Sequence, residues 1–599
     1  MHAKIRRGQI ITNFGPGAMI NLEQGSFIAM GIDSWPNSGR EDLIYEDRLQ
    51  NKLKVKYFRQ PPEGNVFPKG LPYRRFPRWL FCPKCRLLKH YEKWIENDTR
   101  RYPTAPYCGT CRKALVPMGF IVACRKGHLD EFPWVYWVHK GKDPCCSDPT
   151  FEYDTSLAGA GLSGIRIKCT QCKQMRSMQG VFTPGVFKEK KCTGGIPWSK
   201  DNGHEDCAED MVTLQRGGSN VYFPRIVSSI TIPPYTNELF DSIKGTNTWY
   251  VLSTVDTSNM NSAFKDEIYS QISKEINRKF EDVKACIEGI QSLSENKDTQ
   301  TEEGFRFDEY RAFHGNYDAT VHDKKDFEVV RGEKVSEYSK FGIDDIFLVK
   351  TLREIRALFG FTRLRPFDID AELAGDEETK EVPELVLLTD KPGRPASWKP
   401  AIEVRGEGIF ITLDPRRIEE WANNKEVLLR LNLINKNYAE SCHRRKVKFK
   451  PVSAKYILLH TYSHLLIRQL SFEAGYSSAS LRERLYCESL DKENEMQGIL
   501  IYTAAGDADG TLGGLVRQAK PERFLQLLSS MVEFSRWCSN DPLCIESTGQ
   551  GFESLNLAAC YACALMPETS CEEYNKFLDR ALLVGTPENP SIGFINQAN

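Results

Sequence analysis

Cys82-Pro83-Lys84-Cys85 and Cys108-Gly109-Thr110-Cys111 are two Cys-x-x-Cys pairs in a stretch that has few long periodic apolar runs. Each pair makes a tight turn with both sulfurs on one side, and two such turns can converge on one tetrahedral ion. Where a metal rather than core volume holds a segment, short strands and loops replace long amphipathic elements. The reading is therefore zinc-ribbon-like modules over residues 81–215. Cys82, Cys85, Cys108 and Cys111 form one four-sulfur site, with Gly109 supplying a turn.

The same logic extends outward. Cys169-Thr170-Gln171-Cys172 begins a second set, which Cys192 and Cys207 complete. Cys124, His128, Cys145 and Cys146 either form a third set or are buried groups beside Phe132-Pro133-Trp134. Towards the end, Cys538, Cys544, Cys560, Cys563 and Cys571 offer five sulfurs to an ion that takes four. The Cys560-Tyr561-Ala562-Cys563 turn anchors that site, with Cys544 and Cys571 as the favoured partners and Cys538 as the alternative. These spacings predict at least two bound zinc ions per chain, and three on the fuller count.

All 19 cysteines sit in a chain of 599 residues with no apolar run long enough to cross a membrane and no apolar signal core after Met1. Thiolate ligands need a reducing compartment, so the expectation is a cytoplasmic protein. The 80 basic and 80 acidic residues cancel, so any attraction to nucleic acid must come from local patches. The length implies several domains. Residues 1–80 read as a β-rich module punctuated by Gly and Pro. Residues 216–440 form a helical middle in which Ile272, Ile276, Phe280, Val283, Ile287 and Ile290 follow helical spacing as one long helix. The polar run 294–303 and the acidic run 376–384 read as exposed linkers.

Residues 441–599 read as an α/β zinc-binding domain. A strand over Lys446-Val447-Lys448-Phe449-Lys450 precedes a helix through Leu458, Tyr462, Leu465 and Leu470. A buried strand, Ile499-Leu500-Ile501-Tyr502-Thr503, then leads into a glycine-rich loop, and Pro521 opens another helix. The fold class that follows is α+β and multidomain.

Signals for catalysis are thin. No Gly-x-x-x-x-Gly-Lys-[Ser/Thr] string occurs, so the phosphate cradle of a P-loop ATPase is missing. His460-Thr461-Tyr462-Ser463-His464 has the spacing of a metalloprotease pair, but Thr stands where the general base belongs. Asp507 and Asp509 could hold magnesium, which leaves a metal-dependent nuclease or hydrolase as one alternative and a purely structural assembly factor as another. Basic clusters are the better lead. Arg74, Arg75 and Arg78 interleave with Tyr73, Phe76 and Trp79, while Arg444 and Arg445 precede Lys446, Lys448 and Lys450 on one face of the expected strand. Both clusters are candidate DNA contacts.

Several motifs together resemble a known family. They are Arg6-Arg7-Gly8-Gln9, Asn13-Phe14-Gly15-Pro16-Gly17, Gly31-Ile32-Asp33-Ser34-Trp35-Pro36, Cys124-Arg125-Lys126-Gly127-His128 through Trp134, Arg216-Gly217-Gly218-Ser219-Asn220, and Leu352-Arg353-Glu354 through Arg363. They resemble the DrmB proteins, helicase-associated subunits of the DISARM anti-phage system. The last third, through His460, His464, Gly513-Gly514, the cysteines and Asn575-Lys576-Phe577-Leu578-Asp579-Arg580, is similar to the zinc-binding domain that ends MrfA-type helicases. The resemblance implies antiviral defence, a zinc cofactor, and a protein complex with a DrmA-like helicase and DNA. The chain itself is then an accessory subunit rather than an enzyme.

Overall fold

The computed structural model describes residues 5–596 except 24, 37–38, 40–41, 65–69, 97–105, 141–145, 147–148, 156–160, 255–260, 295–300, 318–322, 368–382, 389–395, 446, 488–494 and 504–512. A nine-stranded sheet organises it. The main path runs Phe223–Ile230, Ile343–Thr362, Trp398–Leu413, Gly498–Thr503 and Leu481–Tyr486, each antiparallel to the next. Tyr57–Arg59 joins parallel to Trp398–Leu413.

The strands alternate between two cores. Ile409, Ile411, Ile499 and Ile501 face one core, which the helices Lys425–Arg445, Ala454–Ala474 and Pro521–Ser535 cover through Ile434, Leu458, Leu466 and Leu527. Phe410, Leu500 and Tyr502 face the other, covered by Ile272, Val283, Ile287 and Phe313. A sheet buried on both faces explains why Ile499–Tyr502 reads as a continuous apolar run. The sheet also draws on distant parts of the chain. One sheet takes strands from 1–80, 216–440 and 441–599, because hydrogen bonding along Trp398–Leu413 links segments distant in sequence.

The single long helix expected through Ile272 to Ile290 is two, Ser262–Glu275 and Phe280–Ser294. The break is a Schellman turn. Asn277 takes a left-handed φ of 53°, Arg278 N–H donates to the Ser273 carbonyl at 3.0 Å, and Asn277 N–H donates to Lys274 at 3.4 Å. Hydrophobic periodicity survives the turn because both helices pack on the same core.

Between the N-terminal module and the main sheet lie a six-stranded and a three-stranded sheet of short strands. Their core is aromatic, with Phe120, Phe132, Trp134, Trp137 and Phe187 buried together beside Cys124, Cys146, Cys169 and Cys192.

Candidate metal centres

Four groups of sulfur and imidazole donors assemble among the described residues, each with its four ligand atoms within 4.8 Å of one another. The first is Cys82, Cys85, Cys108 and Cys111, as the spacing predicts. In each turn the residue after the second cysteine swings into the left-handed region: Arg86 at φ 63° and Arg112 at φ 52°. Its N–H then donates back to the first cysteine's carbonyl, Arg86 to Cys82 at 2.9 Å and Arg112 to Cys108 at 2.8 Å. The positive φ thus falls on Arg112, not on Gly109 as expected, because closing the turn demands it one residue past the second sulfur. Burial opposes ionisation of Cys82, yet the N–H groups of Cys85 and Lys84 aimed at its sulfur bring the pKa down to about 7.

The expected second set is two sites. Cys169 and Cys172 gather with Cys146 and His139, whereas Cys192 and Cys207 gather with Cys124 and His128. Cys169-Cys172 repeats the same turn, with Lys173 at φ 65°. The Gln174 N–H directed at Cys172 lowers its thiol to about 6 against the effect of burial. His139 Nδ1 donates to the Val135 carbonyl at 2.8 Å, which leaves Nε2 bare and 3.4 Å from Cys172 Sγ. His128 is set the other way round: Nε2 donates to Glu205 at 3.1 Å and Nδ1 lies 3.4 Å from Cys124 Sγ. Such outer partners fix the tautomer of a ligating imidazole.

The fourth site is Cys538, Cys544, Cys560 and Cys563. Cys538, the alternative in the sequence reading, is a member, and Cys571 is not. Cys571 Sγ instead lies 3.2 Å from His460 Nε2, in a buried group with His464 and Glu483. Cys538 N–H donates to Asp541, and Asp541 in turn pairs with the buried Arg580. That loop carries the first sulfur back over the Cys560-Cys563 turn.

The distances fit zinc. A Zn–S bond of about 2.3 Å gives a tetrahedral S···S edge of about 3.8 Å. The measured edges are 3.8 Å for Cys85–Cys108, 3.7 Å for Cys146–Cys169, 4.0 Å for Cys124–Cys207, and 3.5 and 3.8 Å for Cys538–Cys560 and Cys544–Cys563. Four protein donors at each site complete a closed coordination of the kind that holds folds together.

Residues 462–564 match the MrfA Zn-binding domain, a span that contains all four sulfurs of the fourth site, and residues 6–223 match a domain of unknown function, DUF8724. The chain is 32% identical over 581 residues to the DISARM protein DrmB of Bacillus paralicheniformis, covering 94% of this chain and 97% of that one. The chain belongs to the DrmB family. The structure of the DUF1998 helicase MrfA bound to DNA matches 40% of this chain and 23% of that one, at 10% identity and a TM-score of 0.17. So slight a likeness carries no argument. In this DrmB-family chain the DUF8724 match spans the first three metal sites and the Zn-binding match the fourth.

The expected DNA-contact residues divide. Arg74 is engaged by backbone, donating to the carbonyls of Pro197, Ser199 and Lys200 at 2.7–3.1 Å. Arg75 lies over the Phe27 and Tyr91 rings, and Arg78 pairs with Glu92 at 2.6 Å. Arg444 and Arg445 end the helix Lys425–Arg445. Among the described residues 447–450 no strand forms: Val447 is buried with its N–H on the Cys442 carbonyl at 3.0 Å, a helix-end contact. Lys446 lies outside the described residues, as do Cys145, Asp507 and Asp509. Arg444, Lys448 and Lys450 are exposed, and Arg445 pairs with Glu553 at 3.3 Å.

Sequence reasoning missed His139 as a ligand. Its signal was weak, a lone histidine at the end of the short helix Trp134–Val138, with no second histidine at ligand spacing. The Cys124-x-x-x-His128 spacing was a stronger clue. Gly127 between them has φ 79° and lets Cys124 N–H reach the His128 carbonyl.

Proposed function

We propose that this chain is a non-catalytic, DNA-handling subunit that works beside a DrmA-like helicase in DISARM anti-phage defence. The observation that carries the reading is that, among the described residues, each of the four sulfur-imidazole groups is closed by four protein side chains, which supports a stapling role and leaves those groups no ligand position for a hydrolytic water. Membership of the DrmB family and the missing P-loop string support a motor supplied by another chain. His460 and His464, the one pair with protease-like spacing, are wholly buried, which argues against their meeting a substrate.

DNA handling is supported by a cleft of about 310 Å³ lined by segments within 219–383 and 445–576, where Arg365, Phe367, Arg445, Phe552, Tyr574 and Lys576 mix cations with rings. Glu553 and Glu568 also line it, and Arg445 spends part of its charge on Glu553. Val447 lines the same cleft, so exposed Arg444 and Lys448 flank cleft residues along the chain.

The test is DNA affinity of the chain with its helicase across a salt series, wild type against Arg444→Ala, Lys448→Ala and Lys450→Ala combined. Each lost phosphate contact lowers the log–log salt slope by about 0.9 on duplex DNA. The expected drop is two to three such steps, whereas an unchanged slope with the complex intact refutes the DNA contact at this edge.

A further inference from the structure

His460 and His464, Glu483 and Cys571 form a buried group separate from the four metal centres, and we propose that it is a fifth metal site, holding zinc through two imidazoles, one carboxylate and one thiolate. The histidines stand one turn apart on the helix Ala454–Ala474, with ring centroids 4.5 Å apart. Glu483 comes from the sheet-edge strand Leu481–Tyr486, and Cys571 from the C-terminal segment. All four donor atoms lie within 4.8 Å of one another, and the residues are 0–6% exposed.

The donor spacing is close to that of a coordination shell, with the two His460 contacts slightly tighter than tetrahedral edges. His460 Nε2 is 3.1 Å from Glu483 Oε1 and 3.2 Å from Cys571 Sγ, and His464 Nε2 is 3.6 Å from Glu483 Oε1. Tetrahedral edges built on zinc bonds of about 2.0–2.3 Å run from about 3.3 to 3.6 Å. His464 Nδ1 donates to the Ala564 carbonyl at 2.8 Å, so its Nε2 carries the lone pair. That nitrogen is buried, faces the other donors and has no hydrogen-bond partner. An orphaned buried acceptor is costly, and a cation there removes the cost. His460 Nδ1 is also buried without a partner, so His464 is the better oriented of the two.

The surroundings prepare the two anions. Cys571 Sγ accepts the N–H groups of Glu573 at 3.3 Å and Asn575 at 3.2 Å, the same arrangement that Lys84 N–H makes with Cys82 Sγ. Glu483 accepts from the Ser463 hydroxyl and from Glu572 N–H at 3.2 Å. Among the described residues no Lys or Arg pairs with Glu483, so a buried carboxylate beside a thiol lacks a fixed countercharge. Two imidazoles with one thiolate and one carboxylate suit zinc.

The site overlaps the Zn-binding match only in part: His464 and Glu483 fall within residues 462–564, whereas His460 and Cys571 fall outside them. Its place gives it a role: it pins the edge of the main sheet to a core helix and to the segment that follows the fourth cluster.

The experiment is zinc stoichiometry of the full chain, incubated with zinc and desalted, by native mass spectrometry. The proposal expects five ions for wild type and four for both His464→Ala and Cys571→Ser. Four ions in all three proteins overturn it. Since either variant could unfold, zinc-edge anomalous scattering from wild-type crystals gives an independent reading. A fifth peak between His464 Nε2 and Cys571 Sγ is expected, and its absence beside four thiolate peaks overturns the site.

Discussion

Arg363 Nε donates to the carbonyl of Gly127 at 2.8 Å and so ties the end of the longest described strand to the turn between two candidate metal ligands, Cys124 and His128. The same guanidinium donates to Val221 at 2.5 Å and Gly17 at 2.9 Å. Three segments far apart in sequence thus meet on one wholly buried side chain. Burial pulls its pKa down to about 9, which still leaves a cation at neutral pH.

Arg363→Met keeps much of the volume but strands three carbonyls. The expected cost is about 3–5 kcal/mol, read as a lower thermal midpoint of the transition that carries the N-terminal half. Arg363→Lys recovers little, because one ammonium cannot reach three diverging acceptors. A variant that melts with wild type shows that the stitch is unimportant.

Splitting Cys169, Cys172, Cys192 and Cys207 between two ions has a countable consequence. Cys169→Ser with Cys172→Ser loses one zinc, Cys192→Ser with Cys207→Ser loses a different one, and the quadruple variant loses two. His139→Ala removes the same ion as the first pair, and Cys538→Ser removes the ion of the fourth site. One ion lost in the quadruple variant restores the single-site reading.

The Schellman turn makes a smaller prediction. Asn277 is exposed and left-handed, so Asn277→Gly is neutral or slightly stabilising, whereas Asn277→Val costs about 1–2 kcal/mol through its β-branch. Equal midpoints for the two variants in urea contradict the turn.

What the sequence made legible was local. Cys82, Cys85, Cys108 and Cys111 form one site because two short turns encode it, and the strand Gly498–Thr503 and the helix opened by Pro521 stand where their patterns put them. What it concealed was which distant turns meet. Cys169-Cys172 carries no mark that says His139 rather than Cys192, since the choice is made by the aromatic core that holds the helix Trp134–Val138 against the strand Arg166–Cys169. Cys571 offered itself as a fourth sulfur until the fold placed it against His460. The alternation Lys446-Val447-Lys448-Phe449-Lys450 was real as a pattern, but among the described residues 447–450 pair with no strand.

The central claim, a subunit without its own motor chemistry that modulates another chain's, is tested most directly by ATP turnover. Purified alone, with or without DNA, the chain is expected to hydrolyse no ATP, and its addition should change the DNA-stimulated turnover of the DrmA-like helicase. ATP hydrolysis that persists after every trace of helicase is removed, or helicase turnover indifferent to saturating chain, contradicts the account.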